Sequence, residues 1–384
     1  MNLHSSAPLF FRGKPIASAS QWLLLLGLSL LALLVLGGAG QSTAKQETLV
    51  LKSEQLPFQT KEFYIADVID ERQNPKAMGS LVAAVTPASV SKPVDFQGGS
   101  VPAIKKYINE SFSHNPKARP ILMRLKEYQV TEKTVAGGRV EGQIQISAAF
   151  EVQREGKKLH LFDYKSGARY ARPATNLTMV EPTLRKTLSE SLRYLTGWMD
   201  KEVPHNEKLA RKIQVHFEDY KQHSDDDTLF YDPARPLNWS DFQGGSSLRG
   251  NYAASIFPGL SNDIQSTVEN GVIHIRVATK PYILRSLSKV LPDARNEYAL
   301  NHEQRHFDIL KLVSEHYKQR LRPEKLNLED YESIIRYQYL EALWELDRLQ
   351  KQYDGETSHG LNRMAQEKWN QKIDQELREF KVKP

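Results

Sequence analysis

The chain contains no cysteine. Disulfides are therefore excluded as a source of stability, and every folded part must rest on a hydrophobic core. A lipidated cysteine is excluded as a membrane anchor. So is a thiolate-closed structural zinc site, which leaves histidine and carboxylate as metal donors, a set that suits a catalytic site with one open position. Net charge is also small: 52 Lys and Arg against 46 Asp and Glu leave +6, too mild an excess to point to a nucleic-acid partner. A long apolar run occurs once, from Trp22 to Leu36.

That run follows a segment carrying Arg12 and Lys14 but no acid, and it precedes the small residues Gly37 to Gly40 and Ser42-Thr43-Ala44. Basic, then apolar, then small is the order of a secretory signal peptide. Residues 1–44 are expected to direct export to the periplasm or the medium, with cleavage near Gly40 or Ala44. The run with its tail is just long enough to span a bilayer, so a retained N-terminal anchor is the alternative, and the only membrane contact expected. Loss of residues 1–44 removes two positive charges and no negative ones, from +6 to +4.

The 384 residues exceed one typical core and favour two domains. From 45 to 204 the pattern is α+β. Short strands are predicted at Phe63 to Asp70 and Ser80 to Val85, and a helix from Val101 to Phe112. In Val140 to Val152, Ile144, Ile146, Ala148, Phe150 and Val152 fall on every second position, so one face is buried. With Ile121 to Val130 and Leu159 to Tyr170 it forms an antiparallel meander, covered by a helix whose Leu184, Leu188, Leu192, Leu195 and Met199 share a stripe. No catalytic constellation stands out here, and the default role is docking. The hexapeptide Asp95 to Ser100 recurs unchanged as Asp241 to Ser246; both copies read as Gly-Gly loops.

The second domain, 205–384, carries the chemistry. A strand at Val272 to Ala278 is the candidate edge for binding an extended peptide. A long helix, starting at Pro292 with Asp293 as its cap, contains His302-Glu303-Gln304-Arg305-His306. Residues four apart share a helix face, so both imidazoles of this HExxH box can reach one ion with Glu303 beside them. Ala299, His302, His306, Ile309, Val313 and Tyr317 form one inward stripe. Two buried histidines can also be satisfied by hydrogen bonds alone, yet a metal removes the desolvation cost of all three polar groups at once.

Two further helices, with stripes Tyr331 to Tyr353 and Leu361 to Phe380, flank the turn Asp354 to Gly360. Three protein ligands are the rule for catalytic zinc. Ile309 and Leu312 occupy the places where the metzincin pattern needs Gly and His, so the third ligand lies in that turn or among Glu329, Glu332, Glu341 and Glu345.

Three blocks in order, Leu237-Asn238-Trp239-Ser240-Asp241-Phe242, His302 to Ile309, and Tyr353-Asp354-Gly355-Glu356-Thr357-Ser358-His359-Gly360 with Gln366 and Trp369, resemble the DUF922 family. That family comprises exported bacterial proteins proposed to be zinc-dependent proteases, and the resemblance covers roughly residues 225 to 380. It implies that the third block belongs to the active site, with His359 as third ligand ahead of Glu356. The second x of HExxH, commonly Gly in that family, is Arg305 here, where a cation could narrow the cleft or bind a substrate carboxylate.

The fold expected is α+β: an N-terminal antiparallel sheet with a packed helix, then a zincin-like domain with an HExxH helix, a small sheet and a helical hairpin. The function expected is an exported metallopeptidase acting on peptide or protein in the cell envelope. Zn²⁺ sits on His302, His306 and His359, Glu303 is the general base, and Tyr353 or Arg305 steadies the oxyanion. The alternatives are a non-catalytic envelope scaffold with a structural or vestigial metal site, and a hydrolase of cell-wall material using the same ligands.

Overall fold

The computed structural model describes residues 46–84, 90–112, 114–220, 227–245 and 253–383. The expected signal segment, Asp225 and Asp226 of the acidic triplet and the Gly-rich loop beyond Gly245 lie outside the described residues. The protein is α+β. Residues Gln46–Pro384 form one compact unit with two hydrophobic cores, one drawn from Leu49 to Leu209 and the other from Ala210 to Leu377. Among the described residues no helix is long and apolar enough to cross a membrane.

The first core lies under a seven-stranded sheet of β1 (Glu47–Leu49), β2 (Phe63–Asp70), β3 (Gly79–Ala84), β4 (Val90–Phe96), β5 (Arg119–Val135), β6 (Arg139–Arg154) and β7 (Lys157–Pro173). The alternation in β6 carries through: Ile144, Ile146, Ala148 and Phe150 are fully buried, and β5, β6 and β7 pair as an antiparallel meander. The whole sheet is mixed, however, where the sequence pattern predicts an antiparallel one. β2 runs parallel to β5, and β1 parallel to β4. Helix α1 (Ser100–Ser111) lies in the long connection from β2 to β5, and a parallel pair needs such a connection rather than a tight turn.

Helix α2 (Val180–Glu202) buries Leu184, Leu188, Leu192, Leu195 and Met199 completely against β6 and β7. Each such side chain contributes about 2 kcal/mol of burial. The repeated hexapeptide serves two different ends. Asp95 closes β4 and accepts from Ser100 Oγ at the start of α1, whereas Asp241 is fully buried between Arg235 and Arg285.

The second core is built on a sheet of β8 (Lys212–Asp219), β9 (Thr228–Phe230), β11 (Pro258–Glu269) and β12 (Val272–Leu284), with a separate pair β10 (Ala254–Ser255) and β13 (Lys289–Val290). β12 has β11 along one side and β8 and β9 along the other. Its backbone groups are thus taken, and it is not the free edge that its alternation suggests. Helix α3 (Glu297–Arg320) is capped by Asn296, whose side chain accepts from Ala299 N at 2.9 Å; Asp293 sits in a separate 3₁₀ turn before it.

Helix α4 (Tyr331–Thr357) runs into the expected turn and ends at Thr357 with Ser358 as its C-cap, and α5 (Arg363–Glu379) follows. Leu361, placed in the buried stripe by its spacing, is 82% exposed because it falls in the connection before α5. Both helices pack on α3.

Candidate metal centre

The side chains of the HExxH box leave α3 in four directions. His302 and His306 point one way, with Nε2 atoms 3.3 Å apart. Glu303 is buried and accepts from Ile256 N at 2.9 Å through Oε2. Gln304 accepts from Leu237 N at 2.7 Å, which ties the Leu237-Asn238-Trp239 block to the box. Arg305 turns away from the histidines to Asn370 and Asp374 of α5.

Because α4 continues to Thr357, Gln350, Tyr353 and Asp354 share the face that meets α3. Tyr353 is fully buried, with its ring stacked 4.7 Å from that of His302 and edge-on to His306 at 4.8 Å. Asp354 Oδ1 lies 3.3 Å from His302 Nε2 and 3.0 Å from His306 Nε2. These three residues form the one group of metal-competent donors among the described residues, with ligand atoms within 4.8 Å of one another.

The outer nitrogens are fixed by two glutamines. Gln366 Oε1 meets His302 Nδ1 at 3.1 Å while its Nε2 donates to Asn301 Oδ1. Gln350 Oε1 meets His306 Nδ1 while its Nε2 donates to His306 O at 2.9 Å. Each amide is oriented by its donor end, so its oxygen faces the ring. An oxygen acceptor there requires the proton on Nδ1 and leaves the Nε2 lone pair directed at Asp354.

Two lone pairs and a carboxylate oxygen converging within 3.3 Å repel unless a cation or added protons lie between them. A proton on either Nε2 would donate to Asp354 Oδ1, but two together would set N–H groups against each other across 3.3 Å, whereas one cation accepts all three lone pairs. The local field is accordingly one that welcomes positive charge. Burial disfavours the His306 imidazolium, but its hydrogen bond to Asp354 and the charge of Glu303 outweigh that and raise its pKa. Burial raises the Glu303 pKa against the pull of both histidines. Asp354 is desolvated too, yet the two histidines hold its carboxyl far below the usual range.

A cavity of about 280 Å³ opens onto this cluster. It is lined also by Ala253, Ala254, Ile256, Pro258, Ala299 and Leu361. Ser358, His359 and Gly360 all have positive φ, at 48°, 54° and 83°. This left-handed hook places His359 on the cavity rim, with Nδ1 3.6 Å from Asp354 Oδ1 and its side chain 39% exposed. The φ of 83° at Gly360 is the backbone conformation that favours glycine, and a Cβ there would lie in van der Waals contact with the His302 ring at 3.4 Å.

The structure brings His302, Glu303, His306 and His359 to one cavity. It sets Tyr353 beneath the imidazoles, with its hydroxyl 3.5 Å from His302 O rather than in the cavity, and Arg305 outside. Glu356 bonds Trp369 Nε1 at 2.8 Å, and Glu329 and Glu345 pair with Arg154 and with His316 and Arg320. Asp354 and Gln366 stand in the third block and Gln350 just before it, but the sequence alone assigns none of the three a role. Their signal was the helical spacing of Gln350 and Asp354, hidden by reading Asp354-Gly355 as a turn.

No family model matches the chain, and no curated protein matches it. Among solved structures it is similar to a protein of Xanthomonas campestris described by the DUF330 family model, at 8% identity and a TM-score of 0.28 over 41% of this chain and 98% of that one. It is also similar to a minor lipoprotein of Acinetobacter baumannii, at 16% identity and a TM-score of 0.17 over 24% and 78%. Likenesses this distant carry no argument.

Proposed function

We propose that this is an exported zinc-dependent peptidase whose metal is held by His302, His306 and Asp354. One observation carries the reading: three lone-pair donors converge on one point beside a buried carboxylate, with both imidazole tautomers preset by glutamines. Two histidines and a carboxylate are a donor set of hydrolytic zinc. This replaces His359 with Asp354 as third ligand and leaves His359 on the rim, where it can meet substrate. The resemblance to the DUF922 family supports the same activity, because its three blocks meet here.

Bound at this cluster, zinc would acidify a water toward neutral pH and polarise a carbonyl. Glu303 is placed to move protons: Oε2 is committed to Ile256 N, and Oε1 is the oxygen that takes the proton of water and passes it to the leaving amine. The bond to Ile256 also fixes the segment Ala253 to Ile256 along the cavity wall. Among the described residues that wall bears no charge apart from the metal cluster and its neighbours, which suits a peptide with an apolar side chain beside the scissile bond. Nothing here requires export, which rests on the N-terminal segment.

The test is Glu303→Gln. The variant should keep its zinc and lose cleavage of a mixed peptide library. Cleavage at the wild-type rate would overturn the assignment of the base, and a wild-type protein that takes up no zinc would overturn the metal site.

A further inference from the structure

We infer that Arg305 is a positioning residue for the metal: by clamping α5 against α3 it holds Gln366 on His302 and so aims His302 Nε2. The inference rests on the zinc site proposed above.

Arg305 lies one turn from His302 on α3, on the side away from the cavity, with a side chain 11% exposed. Each of its three nitrogens is engaged with a directional partner. Nε donates to Asn370 Oδ1 at 3.0 Å, Nη1 to Asp308 Oδ2 at 3.0 Å, and Nη1 and Nη2 grip both oxygens of Asp374, the latter at 3.0 Å. A bidentate guanidinium–carboxylate pair sets both distance and angle between the elements that carry it. Asp308 is fully buried and is itself held by Lys383 and Tyr231.

On α5, Gln366, Asn370 and Asp374 follow at four-residue steps, a single face. The first meets His302 and the other two meet Arg305. The helix is also held by burial of Trp369, Ile373 and Leu377, but apolar burial has no direction and tolerates small slides and rotations. Gln366 Nε2 also donates to Asn301 on α3, which turns the amide itself, and Trp369 Nε1 ties the helix to α4 through Glu356; further along α5, the contacts that Asn370 and Asp374 make with α3 both run to Arg305. Arg305 therefore sets the register between His302 and the amide that fixes its tautomer. His306 is insulated from this device, since its Nδ1 partner Gln350 comes from α4.

The experiment is a double-mutant cycle on zinc affinity, measured by chelator competition on wild type, Arg305→Met, Gln366→Ala and the double variant. Loss of a hydrogen-bond partner behind a ligating histidine costs about ten- to a hundredfold in metal affinity. Each single variant should lose about that much, and the double variant no more than Gln366→Ala alone, because both act through one contact. Losses that multiply, or an Arg305→Met protein that folds and keeps wild-type affinity, would overturn the inference. Should Arg305→Met not fold, Asp374→Asn removes the bidentate grip alone; it should weaken zinc in the same non-additive way, and unchanged affinity overturns the inference equally. A wild-type protein without zinc sinks the parent reading and this one with it, whereas normal wild-type zinc with an indifferent Arg305 sinks this one alone.

Discussion

The two halves of the molecule both shelter polar groups, and to opposite effect. Under the first sheet, Arg172 and Glu132 are fully buried as side chains. Glu132 accepts from Arg172, from Tyr170 and from Val82 N, and Arg172 spends its remaining donors on backbone carbonyls. Donors and acceptors cancel, and nothing is left to bind. In the second half His302, His306 and Asp354 are also sheltered, but with both neutral rings carrying their proton on Nδ1, toward the glutamines, their inner atoms are all acceptors. A closed network stabilises or at least specifies a fold; one with surplus acceptors asks for a cation.

Cutting each network should therefore produce different losses. Glu132→Ala should cost about 3–5 kcal/mol by stranding the Arg172 guanidinium, read as a lowered denaturation midpoint, with zinc content unchanged. Conversely, Asp354→Ala should keep its fold and lose stoichiometric zinc. A Glu132 variant that loses zinc while folded would erase the distinction.

Within the second half the contrast sharpens between the residue that moves protons and those that hold the ion. Glu303→Gln should lower peptide cleavage by about 10²- to 10⁴-fold at unchanged zinc occupancy, measured as turnover per bound zinc. The smallest effect belongs to a third polar cluster. Asp219 joins β8 to α3 through Lys311 and Lys318, each at 2.7 Å. Burial pushes its carboxyl up, but the two lysines outweigh this and bring it from 3.8 to about 2. A depressed carboxylate contributes stability in full above about pH 4, and the contribution fades as pH falls toward 2. In acid titrations Asp219→Asn should flatten stability over that window; an unaltered curve would show that the lysines do not act through Asp219.

Much of the fold is legible in sequence where one face is buried and the other wet. The alternation of β6 and the leucine stripe of α2 are cases, and so is the inward stripe of α3. Legibility failed where tertiary partners decide. Strands β1 and β2 pair in parallel with β4 and β5, partners distant in the chain, which local alternation does not encode. Gly355 resembles a helix stop, yet α4 passes it because Thr357, one turn beyond the buried Tyr353, is buried too. That single turn of helix turns Asp354 toward the histidines and leaves His359 on the hook. Arg305 was placed beside the metal by its position in the box, and only the packing of α5 shows it facing the other way.

The central claim is tested most directly by zinc content per chain, measured by mass spectrometry after metal loading, for the wild type, Asp354→Ala and His359→Ala. One zinc in the wild type, one in His359→Ala and none in Asp354→Ala is the predicted result. Zinc kept by Asp354→Ala but lost from His359→Ala would contradict it.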